Sequence, residues 1–304
     1  MTLRLGTRGS DLARSQSSTV AHDLGAAGFE AELTIIRTAG DRSDAPSFAS
    51  IGPQGVFVRE IEQALLDGDI DLAVHSFKDL PTSSPPELTV AAVPKRHDVA
   101  DLLILSEAAR QQRNEQWIPL PENARVGTAS ARRRVWLQHF RPDLEIGSLR
   151  GNVPTRIQRL REGQFDAILL AAAGVARLRA TSDVLQTALD DLIVVRLDPM
   201  RFVPAPAQGA IAVQCRRDNE QVSAALAALE HQASRIAVDV ERDTLALAEG
   251  GCDIAFGAYC HASDAGYQLI AMFERNNQVH TAEVQDSDAA MLAERAWQAL
   301  QERA

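Results

Sequence analysis

The chain has 304 residues, 45% of them hydrophobic and 24% charged, which is globular composition and excludes a disordered or fibrous protein. Its formal charge of −10 sets the average surface against nucleic acid and anionic membranes, and no apolar run approaches the roughly 18 residues of a membrane span. At roughly 100–200 residues per domain, the length predicts two or three domains.

Leu3–Thr7 reads as a short strand, a helix starts at about Ser10, and a second strand covers Glu32–Arg37. No apolar leader precedes the first strand, so the expected setting is a reducing cytoplasm. A helix near Val56–Leu66 leads into the strand Asp71–His75. This alternation predicts a mostly parallel sheet with helices on both faces, and ligands in such sheets sit at the carboxyl ends of strands. Ser83–Pro86 reads as a loop, and the polar stretch Ala108–Asn123 as a linker. A second α/β unit follows: strand Arg125–Val126, helix Arg132–Phe140, strand Glu145–Leu149, helix Pro154–Glu162 and strand Asp166–Ala171. Pro204-Ala205-Pro206 precedes a strand at Ala210–Cys215. The last ninety or so residues differ in pattern. They show helices at about 219–232 and 234–248, a Gly-Gly-Cys turn, strands at 254–260 and 267–273, and a helix at about 287–303.

Charge is unevenly spread. From Arg125 to Arg161 nine arginines face only Asp143 and Glu145, so the rest of the chain is more acidic than its average. Three strand-end turns carry arginines beside helix starts. In Gly6-Thr7-Arg8-Gly9-Ser10 the glycines allow a tight turn, Ser10 can cap the helix, and Arg8 with free amides attracts a carboxylate or phosphate. The plainer alternative is a capped turn with a solvated arginine. In Gly127-Thr128-Ala129-Ser130-Ala131-Arg132-Arg133-Arg134, three arginines occupy the positive end of a helix dipole, which costs stability unless an anion neutralises them. Ser148–Arg156 repeats the theme with Arg150 and Arg156. A solvated basic face stays open for either segment, but three such turns together suit a ligand with several carboxylates.

His75-Ser76-Phe77-Lys78-Asp79-Leu80-Pro81 places a Lys–Asp pair directly after a strand, where it can supply a charge and a proton-transfer group. A surface ion pair worth little is the alternative. His75 reads as a packing or supporting histidine. Cys215 and Cys260 end apolar runs and read as inert, whereas Cys252 follows two glycines on a loop where a thiol can be exposed. Three cysteines without a CxxC spacing give no zinc or disulfide framework, and no metal site is expected.

The ordered set GTRGS, GVFVREIE, VHSFKDLP, VGTASARRR, SLRGNVPTR, AAAGVARL, PAPAQGAIAVQCR and EGGCDIAFGAYC resembles the porphobilinogen deaminase (hydroxymethylbilane synthase) family from about Leu3 to Cys260. The resemblance implies a transferase of tetrapyrrole and heme biosynthesis. It condenses four porphobilinogens head to tail, with loss of four ammonia molecules, to a linear hydroxymethylbilane. It also implies a dipyrromethane cofactor tied by a thioether to the residue matching Cys252. The implied catalytic residues are Asp79, which steadies positive pyrrole nitrogens, and its neighbour Lys78. The implied cofactor contacts are Lys78, Asp79, Thr128, Ser130, Arg132, Arg133, Arg156 and Gln208; those for substrate are Arg8, Ser10, Gln16, Arg150, Arg156 and Arg177. Each pyrrole carries an acetate and a propionate, so a six-ring intermediate bears about twelve negative charges for such arginines to meet.

The implied fold is α/β in three domains. Two are periplasmic-binding-protein-like lobes with mixed sheets, at 1–100 plus 201–218 and at 101–200, and the third is a small α+β domain at 219–304 carrying the cofactor cysteine. The family suggests a monomer, with porphobilinogen as its partner and neither nucleic acid nor membrane. The chain departs from the family pattern at Gln54, where a lysine is common, at Ala131, where leucine is usual, and in a longer stretch at 107–123. A non-catalytic two-lobe anion-binding receptor or sensor would explain the lobes and arginines, but not Cys252 or the Lys78–Asp79 pair. A nucleic-acid binder is opposed by 5% aromatic content and the acidic remainder.

Overall fold

Two five-stranded sheets and one three-stranded sheet organise the chain in the computed structural model, which describes residues 2–36, 58–113, 116–181, 188–248 and 255–302. The first sheet begins with β1 (Thr2–Thr7), whose inward Leu3 and Leu5 are buried, and continues through helix α1 (Asp11–Ala26) to β2 (Glu30–Ile35). Ser10 ends α1 at its N-terminus by accepting a hydrogen bond from the Ala13 amide, and Val20 and Leu24 bury the helix against the sheet. Burying each such side chain contributes about 1.5–3 kcal/mol. Helix α2 (Arg59–Leu66) leads into β3 (Leu72–Ser76), and β4 (Leu88–Ala92) follows.

The chain then crosses to the second sheet, entering at β5 (Asp101–Leu105). Helix α3 (Glu107–Gln111), β6 (Arg125–Gly127), α4 (Ala131–Phe140), β7 (Glu145–Gly147), α5 (Val153–Arg161), β8 (Ala167–Ala171), α6 (Ala172–Arg179) and β9 (Ile193–Arg196) complete it. The chain returns with β10 (Ile211–Arg216), which pairs antiparallel with β3 and β4. The sheet orders are β2-β1-β3-β10-β4 and β7-β6-β8-β5-β9. Each contains two parallel and two antiparallel pairings, because one strand of each comes in from the other unit or from its far edge. The mostly parallel arrangement expected from alternation therefore gives way to mixed sheets, as the resemblance implied.

The last part comprises α7 (Glu220–Leu226), a 3-10 turn at Ala227–Leu229, α8 (Gln232–Leu247), the antiparallel strands β11 (Phe256–Ser263), β12 (Gly266–Arg275) and β13 (Gln278–Asp286), and α9 (Leu292–Glu302). α8 and α9 bury Ala237, Val240, Leu292, Ala296 and Leu300 against the sheet. Glu241 of α8 anchors this unit to the crossovers. Its carboxylate accepts a two-pronged pair from Arg96 at 2.7 and 2.9 Å, and the amides of Ala207 and Cys260 at 2.7 and 2.8 Å.

The two crossovers run side by side: the His97 amide donates to the Gly209 carbonyl at 3.2 Å. Gly209 has φ +87°, and a Cβ there would lie 2.6 Å from the His97 carbonyl oxygen, so only glycine fits this approach. The linker expected at 108–123 is instead part of the second unit. Ile118 and Leu120 are buried, and the Arg141 fork holds the carbonyls of Ile118, Leu120 and Pro121 at 2.9–3.1 Å. Polar composition on either side masked the short apolar run Trp117–Leu120.

Candidate active site

A cavity of about 630 Å³ opens between the first two sheets, where the ends of β3 and β8 meet the N-terminal turns of α1 and α5. β3 is buried, and the chain leaves it in a 3-10 turn, Phe77–Asp79. Phe77 packs inward and its amide donates to the Ala210 carbonyl at 3.1 Å, which fixes the turn on the return strand. Lys78 and Asp79, next along the chain, then line the cavity, Lys78 half-buried and Asp79 exposed to it. Burial pushes the Lys78 ammonium down to about 8, Asp79 opposing and Arg133 reinforcing the shift. Its Nζ donates to Gln208 Oε1 at 3.3 Å.

The facing wall is cationic. Arg133, from the first turn of α4, and Arg156, from α5, line it with Arg177 of α6 and Arg8 of the first turn. Burial lowers the guanidinium pKa of Arg156, and that of Arg177 to about 10. Arg156 Nε donates to the Gly151 carbonyl at 2.8 Å and Arg177 Nη2 to the Gly209 carbonyl at 2.8 Å, so both forks keep other N–H groups for a ligand. Asn152 caps α5 through the Thr155 amide at 2.9 Å, as Ser10 caps α1, so two positive helix ends converge on the same space. Gln16 lines the cavity while exchanging hydrogen bonds with Ser76 at 2.9 and 3.1 Å.

Arg8, Ser10, Gln16, Lys78, Asp79, Arg133, Arg156 and Arg177 thus share one cavity, and the five other predicted residues among the described ones do not line it. Arg132, expected as a free carboxylate fork, is buried and turned to internal partners: Asp101 Oδ2 at 2.8 Å and the Val203 carbonyl at 2.7 Å. Gln208 is likewise occupied, donating to the Val99 carbonyl at 2.8 Å and Asp101 Oδ1 at 3.0 Å. Thr128 is buried and accepts from the Ser130 amide, and Ser130 caps α4 by accepting from Arg133. Arg150 is exposed outside the lining. Cys252 and Gln54 lie outside the described residues.

Asp101 is the residue that sequence reasoning missed. Fully buried at the start of β5, it binds Arg132 and takes two bonds from Arg133, at 2.7 and 3.1 Å. Burial alone would raise its pKa, but the two guanidiniums outweigh that and hold it below the usual carboxylate range. The anion demanded by arginines at a helix N-terminus is therefore partly supplied by the chain itself. Two guanidiniums and a half-buried ammonium around one carboxylate still leave the region positive. An acidic residue opening the apolar run Asp101–Leu105 was the available signal. His75 is buried and neutral, its Nε2 3.0 Å from Gln214 Oε1, and burial lowers its pKa to about 4. Cys215 and Cys260 are buried, the latter's thiol pushed up to about 12 by burial and Glu241.

The donor set suits a group with several carboxylates and pyrrole N–H groups: guanidinium forks and two helix ends for the first, the Asp79 carboxylate for the second.

A family model described as porphobilinogen deaminase, dipyromethane cofactor binding domain, matches residues 3–224. A porphobilinogen deaminase of Syntrophobacter fumaroxidans is 40% identical over 89% of this chain and 83% of its own length. One from Roseiflexus is 45% identical over 86% and 82%, and one from Mycobacterium leprae 45% over 84% and 76%. Among solved structures, the periplasmic VFT2 domain of BvgS from Bordetella pertussis aligns with TM-score 0.42 and 13% identity, covering 75% of this chain and 86% of that one. An ancestral cationic amino acid solute-binding protein aligns with TM-score 0.43 and 14% identity, covering 75% and 88%. The chain belongs to the porphobilinogen deaminase family.

Proposed function

We propose that this member of the porphobilinogen deaminase family condenses four porphobilinogen molecules into the linear hydroxymethylbilane. Four ammonia molecules leave and one water enters at release. The observation that carries this reading is the cavity itself, a Lys–Asp turn at a strand end facing a wall of arginines. Family membership favours the enzyme over a non-catalytic receptor.

Asp79, exposed to the cavity, accepts hydrogen bonds from pyrrole N–H groups and offsets the positive charge that develops as ammonia departs. The same carboxylate takes a proton when the newly joined ring regains aromaticity. Lys78 is mostly protonated at neutral pH, because its pKa lies near 8, and it holds a substrate carboxylate beside Asp79. Arg8, Arg133, Arg156 and Arg177 take the acetates and propionates, and Ser10 and Gln16 complete that wall. Positioning of this kind and fixed charge account for most of the rate gain.

The dipyrromethane group, when bound, supplies a free pyrrole α-carbon as the first nucleophile. Cys252 would hold it by a thioether, with Lys78, Asp79, Arg133 and Arg156 around it. Thr128, Ser130, Arg132 and Gln208 would serve it by orienting those neighbours, and Arg150 would meet the chain as it grows toward the cavity rim. Three domains divide this work: 1–100 with 201–218, 101–200, and 219–304. No helix among the described residues is long and apolar enough to cross a membrane. The same reading takes it as a cytoplasmic monomer that acts on porphobilinogen and not on nucleic acid, whose phosphates the net charge of −10 repels.

The test is stoichiometry. Purified protein given porphobilinogen should release one ammonia per substrate consumed and one linear tetrapyrrole per four. Asp79→Asn should keep its cofactor yet turn over at least about a hundredfold more slowly. An Asp79→Asn protein of normal rate would remove Asp79 from the mechanism.

A further inference from the structure

The turn carrying Lys78 and Asp79 is held from an unexpected direction. Arg242 of α8, in the C-terminal unit, reaches across to it. Its Nη1 donates to the Leu80 carbonyl at 2.9 Å and its Nη2 to the Pro81 carbonyl at 2.6 Å, with the Phe77 carbonyl at 3.5 Å from Nη1. Its guanidinium carbon lies 4.5 Å from the centroid of the Phe77 ring. The carbonyls at the end of a short helical turn have no partners of their own, so a guanidinium placed there both satisfies them and meets the negative end of the turn. One side chain therefore fixes the end of the turn by its carbonyls and its root by the ring of Phe77.

Arg242 does not line the cavity, and nothing in the sequence pattern of α8 marked it. Burial lowers its pKa, with Asp239 and Asp243 opposing, so it stays charged. Arg242 follows Glu241, which grips both crossovers, so adjacent residues of one helix tie the C-terminal unit to the hinge segments and to the Lys78–Asp79 turn.

We propose that Arg242 is a positioning residue for the reaction: it holds the Lys78–Asp79 turn in register with the C-terminal unit, so that the Asp79 carboxylate is presented to the reacting rings at a fixed depth. The inference rests on the role given to Asp79 above. A donor at residue 242 is needed for rate, while the substrate wall of Arg8, Arg133, Arg156 and Arg177 is untouched by its loss. The effect therefore falls mainly on kcat, with a smaller rise in KM for porphobilinogen because Lys78 on the same turn also holds a substrate carboxylate.

The experiment compares wild type with Arg242→Gln, Arg242→Lys and Asp79→Asn as purified holoenzymes. Steady-state kinetics is read together with NMR of protein labelled with 13C at lysine, since Lys78 and Lys95 are the only lysines and give two signals. Arg242→Gln should lower kcat at least about tenfold with KM within about threefold, and Arg242→Lys, which keeps the charge but can hold only one of the two carbonyls, should recover part of the loss and stay about threefold below wild type. The Lys78 signal, whose pKa burial holds below the ordinary lysine value, should titrate higher in Arg242→Gln than in wild type as the turn loosens toward water. Unchanged kcat and an unchanged Lys78 titration in Arg242→Gln, with only the melting temperature reduced, would overturn the proposal. Should Arg242→Gln not fold, Arg242→Lys decides alone: a wild-type Lys78 titration and wild-type kcat oppose the need for the fork, and a shifted titration with reduced kcat supports it. Full activity in Asp79→Asn would instead strike at the reading on which the inference rests.

Discussion

Asp101 carries two guanidiniums and the side-chain amide of Gln208 on its two oxygens, with no water-facing surface. Removing its charge would leave Arg132 and Arg133 buried without their counter-ion, a change that typically costs about 3–5 kcal/mol. Asp101→Asn should therefore unfold at markedly lower urea concentration than wild type, with the same dependence on urea, and a variant of unchanged midpoint would contradict the ion triad. His75 offers a second test at this scale. Its folded-state pKa near 4 lies below the ordinary value of 6.5, so the unfolded chain binds the extra proton first. Stability is unaffected by this group above about pH 6.5 and is lost as pH falls from there toward 4, by about 3 kcal/mol in all. His75→Gln should flatten the fall of melting temperature over that window. At this scale the sequence was only half informative. Lys78, Asp79 and the arginines of the turns were legible because strand-end position and local charge are written in neighbouring residues. Asp101 with Arg132, and Lys78 with Gln208, are pairs separated by 31 and 130 positions, and no periodicity reports such partners.

Between elements, the decisive contact is the pair of crossovers. Gly209→Ala would force a Cβ to within 2.6 Å of a backbone oxygen and strain a residue at φ +87°, for an expected loss of about 1–3 kcal/mol. It should also slacken Arg177, whose Nη2 is held by the Gly209 carbonyl. Gly25→Ala is the control. Inside α1 with open space around it, it should be neutral or stabilising by up to about 1 kcal/mol. Equal denaturation midpoints for the two variants would deny the close approach. The starts of α1, α4 and α5 were readable to within a residue or two, because Ser10, Ser130 and Asn152 followed by Pro154 are helix-start signals written in neighbouring residues. β4, β5 and β9 were passed over, because runs of four or five residues without a turn signal resemble loop or helix as easily as strand, and β13 because its nine residues are mostly polar. The antiparallel entry of β10 was invisible for another reason. It depends on where the chain returns after about a hundred residues in another sheet, which is a property of topology.

Over the whole molecule, the charge is −10 while the walls of the cavity gather Arg8, Lys78, Arg133, Arg156 and Arg177 against Asp11 and Asp79. An acidic exterior around a cationic cleft repels anionic polymers and still focuses a small polycarboxylate into the site. The first two sheets form the walls of that cleft, and the C-terminal unit holds both the hinge and the Lys78–Asp79 turn through Glu241 and Arg242. The central claim is that this architecture works on a chain of pyrroles started from a group the protein carries on Cys252. It is tested most directly by the intact mass of the denatured protein, with peptide mapping of the segment around Cys252. The account predicts a mass excess of two linked pyrrole units, located on the peptide containing Cys252 and absent from Cys252→Ser. A chain that stays unmodified at Cys252 after incubation with porphobilinogen, or one that carries the group on another residue, would contradict it.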